Sequence, residues 1–255
     1  MLSVTLLPNK KIYFASDFHF GIPNHQKSVE REKKVCAWLD AIKCDAQQLY
    51  LVGDLFDSWI EYKKVVPAGH IRFIGKLAEL ADNGIEIIIF TGNHDLWMSG
   101  YFEKEINAIV YKTAQTISIQ NKIFHIAHGD GVCSLEKKYL RIKKLFHHPF
   151  SQWLYRLLHP DIGLKIADYF SRKGEKHRLA EEPVMKKDHE EFQLIYAKEC
   201  LAKQHYDYFV FGHRHIPASL ALQPNSQFVN LGDWLQFNTY AVFDGQSIEL
   251  KEANS

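Results

Sequence analysis

Five short apolar runs in this chain are each followed closely by an aspartate, an asparagine or a histidine, and this recurrence restricts the fold more than any other feature. The runs cover residues 12–15, 49–52, 87–90, 123–126 and 208–211. Their β-branched and aromatic residues are typical of buried strands. A side chain that follows the last residue of a strand lies at the C-terminal edge of its sheet, where α/β folds place their sites. The pattern therefore predicts an α/β fold with a site at the strand ends.

The polar signatures at these strand ends offer metal ligands. They are Asp17-Phe18-His19, Gly53-Asp54-Leu55-Phe56-Asp57, Gly92-Asn93-His94-Asp95, His128-Gly129-Asp130 and Gly212-His213-Arg214-His215. Their carboxylate, imidazole and amide groups suit Mn²⁺, Fe²⁺, Zn²⁺ or Mg²⁺, and none of the five signatures contains a cysteine. Each signature alone is a weak signal. All five in this order predict a centre of two divalent ions, with Mn²⁺ preferred, which can clamp both oxygens of a phosphoryl transfer.

The spacing of these residues suggests how two ions are shared. Asp17 and His19 are two residues apart, so both lie on one side of an extended chain and can reach the same ion. His213 and His215 have the same spacing, which lets each serve one ion of a close pair. Asp54 ends the second predicted strand, and its carboxylate is the natural bridge between the ions.

Composition excludes several classes of protein. With 255 residues, 46% of them apolar, the chain can bury a full core, and one domain with an insertion is expected. The net charge of +1 argues against a nucleic-acid-binding protein. Four widely spaced cysteines suit a reduced, cytosolic compartment. The first eleven residues do not resemble a secretory signal, and the apolar runs are too short to span a bilayer, so a soluble or peripheral protein is expected.

Helical and hairpin patterns complete the predicted architecture. Helices are predicted over residues 29–42 and 71–80, between strands. Hairpins are predicted over 116–126, 219–231 and 240–250, each around a turn-forming pair such as Asp-Gly. A mixed sheet, or two packed sheets with helices outside, fits this order.

The segment 135–203 differs from the rest because it has helical periodicity without a strand signal. Residues 135–178 carry eleven Lys or Arg against four Asp or Glu, a net charge of +7 in a chain whose total is +1. The segment is either a solvated pair of helices or a lid that holds anionic, partly apolar material at a membrane surface.

The five signatures together resemble those of the calcineurin-like metallophosphoesterase superfamily, over roughly residues 11–132 and 205–235. The resemblance implies a four-layer α/β/β/α sandwich with a helical lid insertion. The core would comprise residues 1–134 and 204–255, and the lid residues 135–203.

The resemblance also implies a role for each site residue. One ion would be held by Asp17, His19, Asp54 and His215, and the other by Asp54, Asn93, His128 and His213. His94, oriented by Asp95, would lie beside the ions and would stabilise charge or protonate the leaving oxygen. Since no Ser, Cys or Thr is among the ligands, the expected nucleophile is a metal-bound hydroxide.

A narrower resemblance is to the UDP-2,3-diacylglucosamine pyrophosphohydrolases of lipid A biosynthesis. It is carried by residues 16–21, 53–60 and 128–133, followed by the basic helical insertion. It implies cleavage of UDP-2,3-diacylglucosamine to UMP and 2,3-diacylglucosamine 1-phosphate (lipid X). It also implies a lid that takes the acyl chains, and a peripheral location on the cytoplasmic face of the inner membrane. Trp153, Leu157, Ile166 and Phe170 are expected to line an acyl-holding surface or to pack the lid.

Substrate contacts implied by this resemblance fall on both the core and the insertion. They are Asn93, His94, Glu136, Ser171, Glu175, Arg178 and His213. Two positions depart from the family pattern: Glu175 stands where the lid motif has Asn, and His94 stands where known members have Arg. His94 leaves open a soluble nucleotide or other phosphoester as the substrate. A separate alternative is a scaffold that keeps the fold without catalysis, which is less favoured because every ligand position is filled.

Four further polar residues are not expected to bind metal or substrate. Asp57, Asp130 and Asp233 are expected to support histidines from outside the metal's coordination sphere rather than to bind metal. His125, on an apolar run, is interpreted as a core histidine.

Overall fold

The computed structural model of the chain describes residues 2–179 and 191–253, with side chains for 2–172 and 191–253. The strands are β1 Leu2–Val4, β2 Lys11–Ala15, β3 Ala46–Val52, β4 Glu86–Phe90, β5 Ile109–Tyr111, β6 Gln115–Ile119, β7 Lys122–Ala127, β8 Tyr208–Phe211, β9 Ala218–Gln223, β10 Ser226–Asn230, β11 Thr239–Phe243 and β12 Ile248–Glu252. The helices are α1 His25–Ile42, α2 Ile71–Asp82, α3 Tyr101–Ile106, α4 Lys137–His147, α5 Pro149–Tyr155, α6 Pro160–Leu179 and α7 Phe192–Leu201.

These strands form two six-stranded sheets. One has the order β12-β11-β2-β3-β4-β5, in which β2 to β5 are parallel. The other has the order β1-β6-β7-β8-β10-β9, in which β7, β8 and β10 are parallel. The three predicted hairpins are confirmed as the antiparallel pairs β6–β7, β9–β10 and β11–β12.

The two sheets pack face to face around an apolar core. Phe14, Tyr50 and Val52 of one sheet meet Phe124 and Val210 of the other. Helices α1, α2 and α3 cover the outer face of the first sheet, and α7 covers that of the second. The predicted four-layer α/β/β/α sandwich is confirmed.

Local sequence accounts for the helix ends. Helix α1 begins four residues before its predicted start because the Asn24 side chain accepts a hydrogen bond from the amide of Lys27, which caps the helix. Helix α2 ends at Asn83-Gly84, as predicted, where Gly84 takes a φ of +82° that favours glycine.

The predicted insertion contains helices of two kinds. Helices α4, α5 and α6 carry many exposed apolar side chains, among them Leu145, Phe150 and Trp153. Helix α7 instead buries Leu194 and Ala197 against the second sheet. Among the described residues, no helix combines the length and the apolar character needed to cross a membrane.

Candidate metal centre

The predicted ligands all lie just past strand ends. Asp17 and Asp54 stand two residues beyond β2 and β3, and Asn93 stands three beyond β4. From the other sheet, His128 and His213 stand one and two residues beyond β7 and β8. Since both sheets turn the ends of these strands toward the same region, the site lies at the edge shared by the two sheets.

The ligand atoms fall into two main groups. Asp17, His19 and His215 place their ligand atoms within 4.8 Å of one another, and so do Asp54, His128 and His213. Each group contains three of the four residues that the resemblance implies for one ion; the first lacks Asp54 and the second lacks Asn93.

Asp54 lies between the two groups. Its Oδ2 is 3.2 Å from Nε2 of His128 in one group and 3.6 Å from Nε2 of His19 in the other. Asp54 is 1% exposed, so its carboxylate is shielded from water. This position is the one that a bridging ligand needs.

His94 belongs to a third group with His19 and Asp54, whose ligand atoms are also within 4.8 Å of one another. Its Nδ1 lies 2.9 Å from the carbonyl oxygen of Asp57, which leaves Nε2 for a substrate or an ion. The expectation that Asp95 orients His94 is wrong. The carboxylate of Asp95 accepts instead from the backbone amides of Leu55 and Gly92, both at 2.7 Å, and so ties two ligand loops together.

The backbone at the ligands is held in an uncommon conformation. Five ligand residues have positive φ: Asp17 (57°), His19 (44°), Asp54 (52°), His213 (68°) and His215 (57°). Residues other than glycine rarely adopt this conformation, and it costs about 1–3 kcal/mol each where the surroundings enforce it. Such strain concentrates at functional sites because there the fold must aim particular side chains.

Glycines let the ligand loops approach closely. A Cβ on Gly212 would lie 2.5 Å from Oδ2 of Asp17, and one on Gly92 would overlap the Asp54 carboxylate. Both positions therefore require glycine for the carboxylates to sit where they do.

Buried polar atoms test whether these residues fit divalent ions. In the part of the chain that the structure describes, both ring nitrogens of His19, Nε2 of His128 and Oδ1 of Asn93 are buried without a hydrogen-bond partner. Buried polar atoms are normally satisfied, so unsatisfied ones clustered beside carboxylates need an explanation. Metal coordination supplies one, and the residues present fit such ions.

Electrostatics favour positive charge at the first group. Burial alone would raise the pKa of Asp17, but the neighbouring His215 and His19 outweigh it and lower the pKa to about 2. Burial would lower the pKa of His19, yet Asp17 and Asp57 raise it to about 10. The carboxylates thus stabilise a cation here, whether protons or metal ions carry the charge.

The second group combines an anionic carboxylate with a neutral imidazole. Burial opposes ionisation of Asp54, but His128 and His94 beside it hold the pKa of its carboxyl well below the usual range. Burial and the neighbouring His128 lower the pKa of His213 to about 4. His213 is therefore neutral near pH 7, which is the form that binds metals.

Outer contacts fix the orientation of the ligand rings. Nδ1 of His128 lies 2.9 Å from the carbonyl oxygen of Val52, and Nδ1 of His215 lies 3.0 Å from Oδ2 of Asp233. Asp233 thus supports a histidine, as expected. Such partners leave Nε2 of each ring facing the ligand cluster, where an ion would bind.

Asp130 departs from its expected role. Instead of supporting a histidine, its Oδ2 accepts from the Tyr139 hydroxyl and from Lys143 Nζ, both at 2.7 Å. Both partners come from α4, so this carboxylate fastens the insertion to the core. The interpretation of His125 as a core histidine agrees with its position beside Phe209 and Tyr196.

A buried amide network was not anticipated from the sequence. Gln193 of α7 donates to the carbonyl of Gly212 at 2.9 Å, and its own Oε1 accepts from Nδ2 of Asn230 at 2.9 Å. The network holds the loop that carries His213. Asn230 ends β10, so the rule applied to the other strand ends could have identified it. Gln193 lies on a helix and gives no such signal.

The predicted substrate contacts are dispersed. Asn93 and His94 border a cavity at the ligand cluster. Glu136 accepts from the backbone amide of Cys133 at 3.3 Å, and Ser171 donates to Asp57. The side chains of Glu175 and Arg178 lie outside the described residues.

The cavity at the ligand cluster has a volume of about 410 Å³. Its lining includes polar residues of the candidate site, namely Asp57, Asn93 and His94. The lining also includes apolar and aromatic residues from the core and from α4 to α6: Trp97, Ile142, Phe146, Tyr155, Ile166 and Phe170. Of the four apolar residues expected at an acyl-holding surface, Ile166 and Phe170 line this cavity, whereas Trp153 and Leu157 do not border it.

Comparisons with known proteins identify the family of this chain. The family model described as calcineurin-like phosphoesterase matches residues 10–217. A protein of Porphyromonas gingivalis named UDP-2,3-diacylglucosamine hydrolase is 39% identical, over 94% of this chain and 97% of its own. Proteins with the same name from Edwardsiella ictaluri and Vibrio atlanticus are each 28% identical. The first alignment covers 81% of this chain and 80% of the relative, the second 94% and 96%.

Proposed function

The chain belongs to the calcineurin-like phosphoesterase family and is a metal-dependent hydrolase, and from this premise we propose that it cleaves the pyrophosphate of UDP-2,3-diacylglucosamine. The products would be UMP and 2,3-diacylglucosamine 1-phosphate. The observation that carries the substrate class is the cavity, whose apolar side chains form a chamber beside Asn93 and His94. A soluble nucleotide has no acyl chains that would be buried in such a chamber. The 39% identical relative that is named for this substrate supports the same conclusion.

Two divalent ions, with Mn²⁺ preferred, would occupy the centre. Asp17, His19, Asp54 and His215 would hold one, and Asp54, Asn93, His128 and His213 the other. When bound, such ions polarise the phosphate and make water acidic enough to attack near neutral pH. The attacking group is therefore water rather than a side chain.

His94 would serve the leaving phosphate. The carbonyl oxygen of Asp57 can only accept, so Nδ1 of His94 carries the hydrogen of that 2.9 Å contact. Nε2 can then hold a second proton and deliver it to the leaving oxygen, or stabilise the charge that develops there. Asp95 contributes by holding the loops of Gly92 and Leu55, not by touching the substrate.

The lid would consist of α4, α5 and α6 and would end before α7. Its exposed apolar side chains include Leu145 (63%), Phe150 (61%) and Trp153 (55%), and the same helices carry exposed lysines and arginines, among them Lys144, Lys165 and Arg172. A surface of this kind suits the interface of an anionic membrane. We therefore assign the protein to the cytoplasmic face of the inner membrane.

The experiment compares UDP-2,3-diacylglucosamine with deacylated UDP-glucosamine at equal concentrations. An apolar chamber should favour acyl chains by about 0.8 kcal/mol for each buried methylene, so kcat/KM should rise with chain length until the chamber is full. Phe170→Asp, which places a charge at the chamber wall, should abolish this dependence, whereas Tyr169→Asp, at a neighbouring residue that does not line the cavity, should not. Equal rates on both substrates would refute the lipid proposal and favour a soluble phosphoester, the alternative that His94 leaves open.

A further inference from the structure

Ser171, a small polar residue of helix α6, lies against the candidate metal centre. Ser171 is 7% exposed, although its neighbours Phe170 and Arg172 are both exposed. Its hydroxyl lies 2.7 Å from each carboxylate oxygen of Asp57. The two residues are 114 positions apart in the chain, so they meet because α6 packs against the core.

Asp57 also faces two histidines of the site. Its Oδ1 is 3.5 Å from Nδ1 of His19 and 3.5 Å from Nδ1 of His94. Its backbone carbonyl contacts His94 as well. One buried carboxylate is therefore shared among the lid, a predicted metal ligand and the predicted proton donor.

The hydroxyl restricts this carboxylate strongly. A hydroxyl that donates to an ionised oxygen makes one of the stronger hydrogen bonds in proteins. Asp57 is 5% exposed, so water cannot readily replace Ser171. Partners that orient a metal-binding histidine through its second nitrogen typically change metal affinity by about 10–100-fold when removed.

We propose that Ser171 is a positioning residue whose hydroxyl fixes Asp57 and thereby orients His19 and His94, so that seating of α6 on the core completes the metal centre. The inference rests on the proposed function insofar as the centre binds divalent ions. It gives Ser171 a role that differs from direct substrate contact, because its hydrogen is committed to Asp57. Lid position and metal affinity become linked through this one contact.

The test measures Mn²⁺ binding in the absence of substrate, by competition with a fluorescent chelator. Ser171→Ala should weaken the binding of one ion by about 10-fold, and kcat should fall more than KM rises. Ser171→Thr keeps the hydroxyl and should retain most of the affinity. Ser134→Ala, at an exposed serine beside α4, should match the unmodified protein.

A double-mutant cycle with Asp57→Asn adds a second readout. If Ser171 acts through Asp57, the two changes together should weaken Mn²⁺ binding little more than Asp57→Asn alone. Additive effects, or a raised KM with unchanged Mn²⁺ affinity, would overturn the inference and return Ser171 to a substrate contact. Unmodified protein that binds no divalent ion would overturn the proposed function together with this inference. Normal ion binding that Ser171→Ala leaves intact would overturn the inference alone.

Discussion

His125 should make the folded chain less stable in mild acid. The residue is 6% exposed and packs between sheet and helix, with Nε2 3.1 Å from the Tyr196 hydroxyl. Burial lowers its pKa from 6.5 to about 4. Between pH 6.5 and about pH 4, His125 binds a proton in the unfolded chain but not in the folded chain. The free energy of unfolding therefore falls as the pH falls.

The size of the effect follows from the two pKa values. Each unit of difference between the pKa of His125 in the unfolded and folded chains corresponds to about 1.4 kcal/mol of unfolding free energy. Between about pH 8 and about pH 5, His125 alone should therefore remove about 2 kcal/mol of stability. At lower pH the loss should approach about 3.4 kcal/mol as the folded-state pKa is reached.

The assay is urea unfolding at several pH values with a chelator present, on the unmodified chain and on His125→Gln. The glutamine can still meet the Tyr196 hydroxyl but does not titrate. Other histidines also change charge, and the difference between the two chains isolates His125. The reasoning is refuted if both chains lose the same stability on acidification.

Three further predictions concern the metal centre. Asp54→Ala removes the proposed bridge and should leave the protein with fewer than two ions per chain by elemental analysis; two ions at full occupancy would show that the assignment is wrong. In Gly92→Ala the new Cβ would lie 2.6 Å from the backbone nitrogen of Asp54, so Mn²⁺ binding and hydrolysis should both fall at least 10-fold. Gly75→Ala, in open space on α2, should change neither. Equal Mn²⁺ binding and hydrolysis in the two variants would argue that the close approach at Gly92 is not needed. Hydrolysis in ¹⁸O-water should label one product phosphate in a single turnover, and a trapped phosphorylated side chain would contradict attack by water.

Much of the fold could be predicted because its signals are local. The hairpins around Gln120-Asn121 and Asp244-Gly245 follow from turn chemistry, and the main strands follow from apolar runs of four residues. The short elements β1, β5 and α3 have three to six residues and no clear period, so they escaped prediction. The predicted family, which rested on the five signatures, is confirmed.

The arrangement within the site was less predictable. The sequence places Asp17 and His19 at a strand end, but their positive φ values depend on the surrounding loops. The partners of Asp57 and Asp130 come from α6 and α4, because tertiary packing joins segments far apart in the chain. No pattern in the sequence pairs Ser171 with Asp57.

The most direct test of the proposed function is a crystal structure with Mn²⁺ and 2,3-diacylglucosamine 1-phosphate. The account predicts two anomalous scattering peaks on either side of the Asp54 carboxylate. It also predicts acyl chains in the cavity beside Ile166 and Phe170, with the phosphate near His94. A single peak away from Asp54, or acyl chains bound elsewhere on the protein, would contradict it.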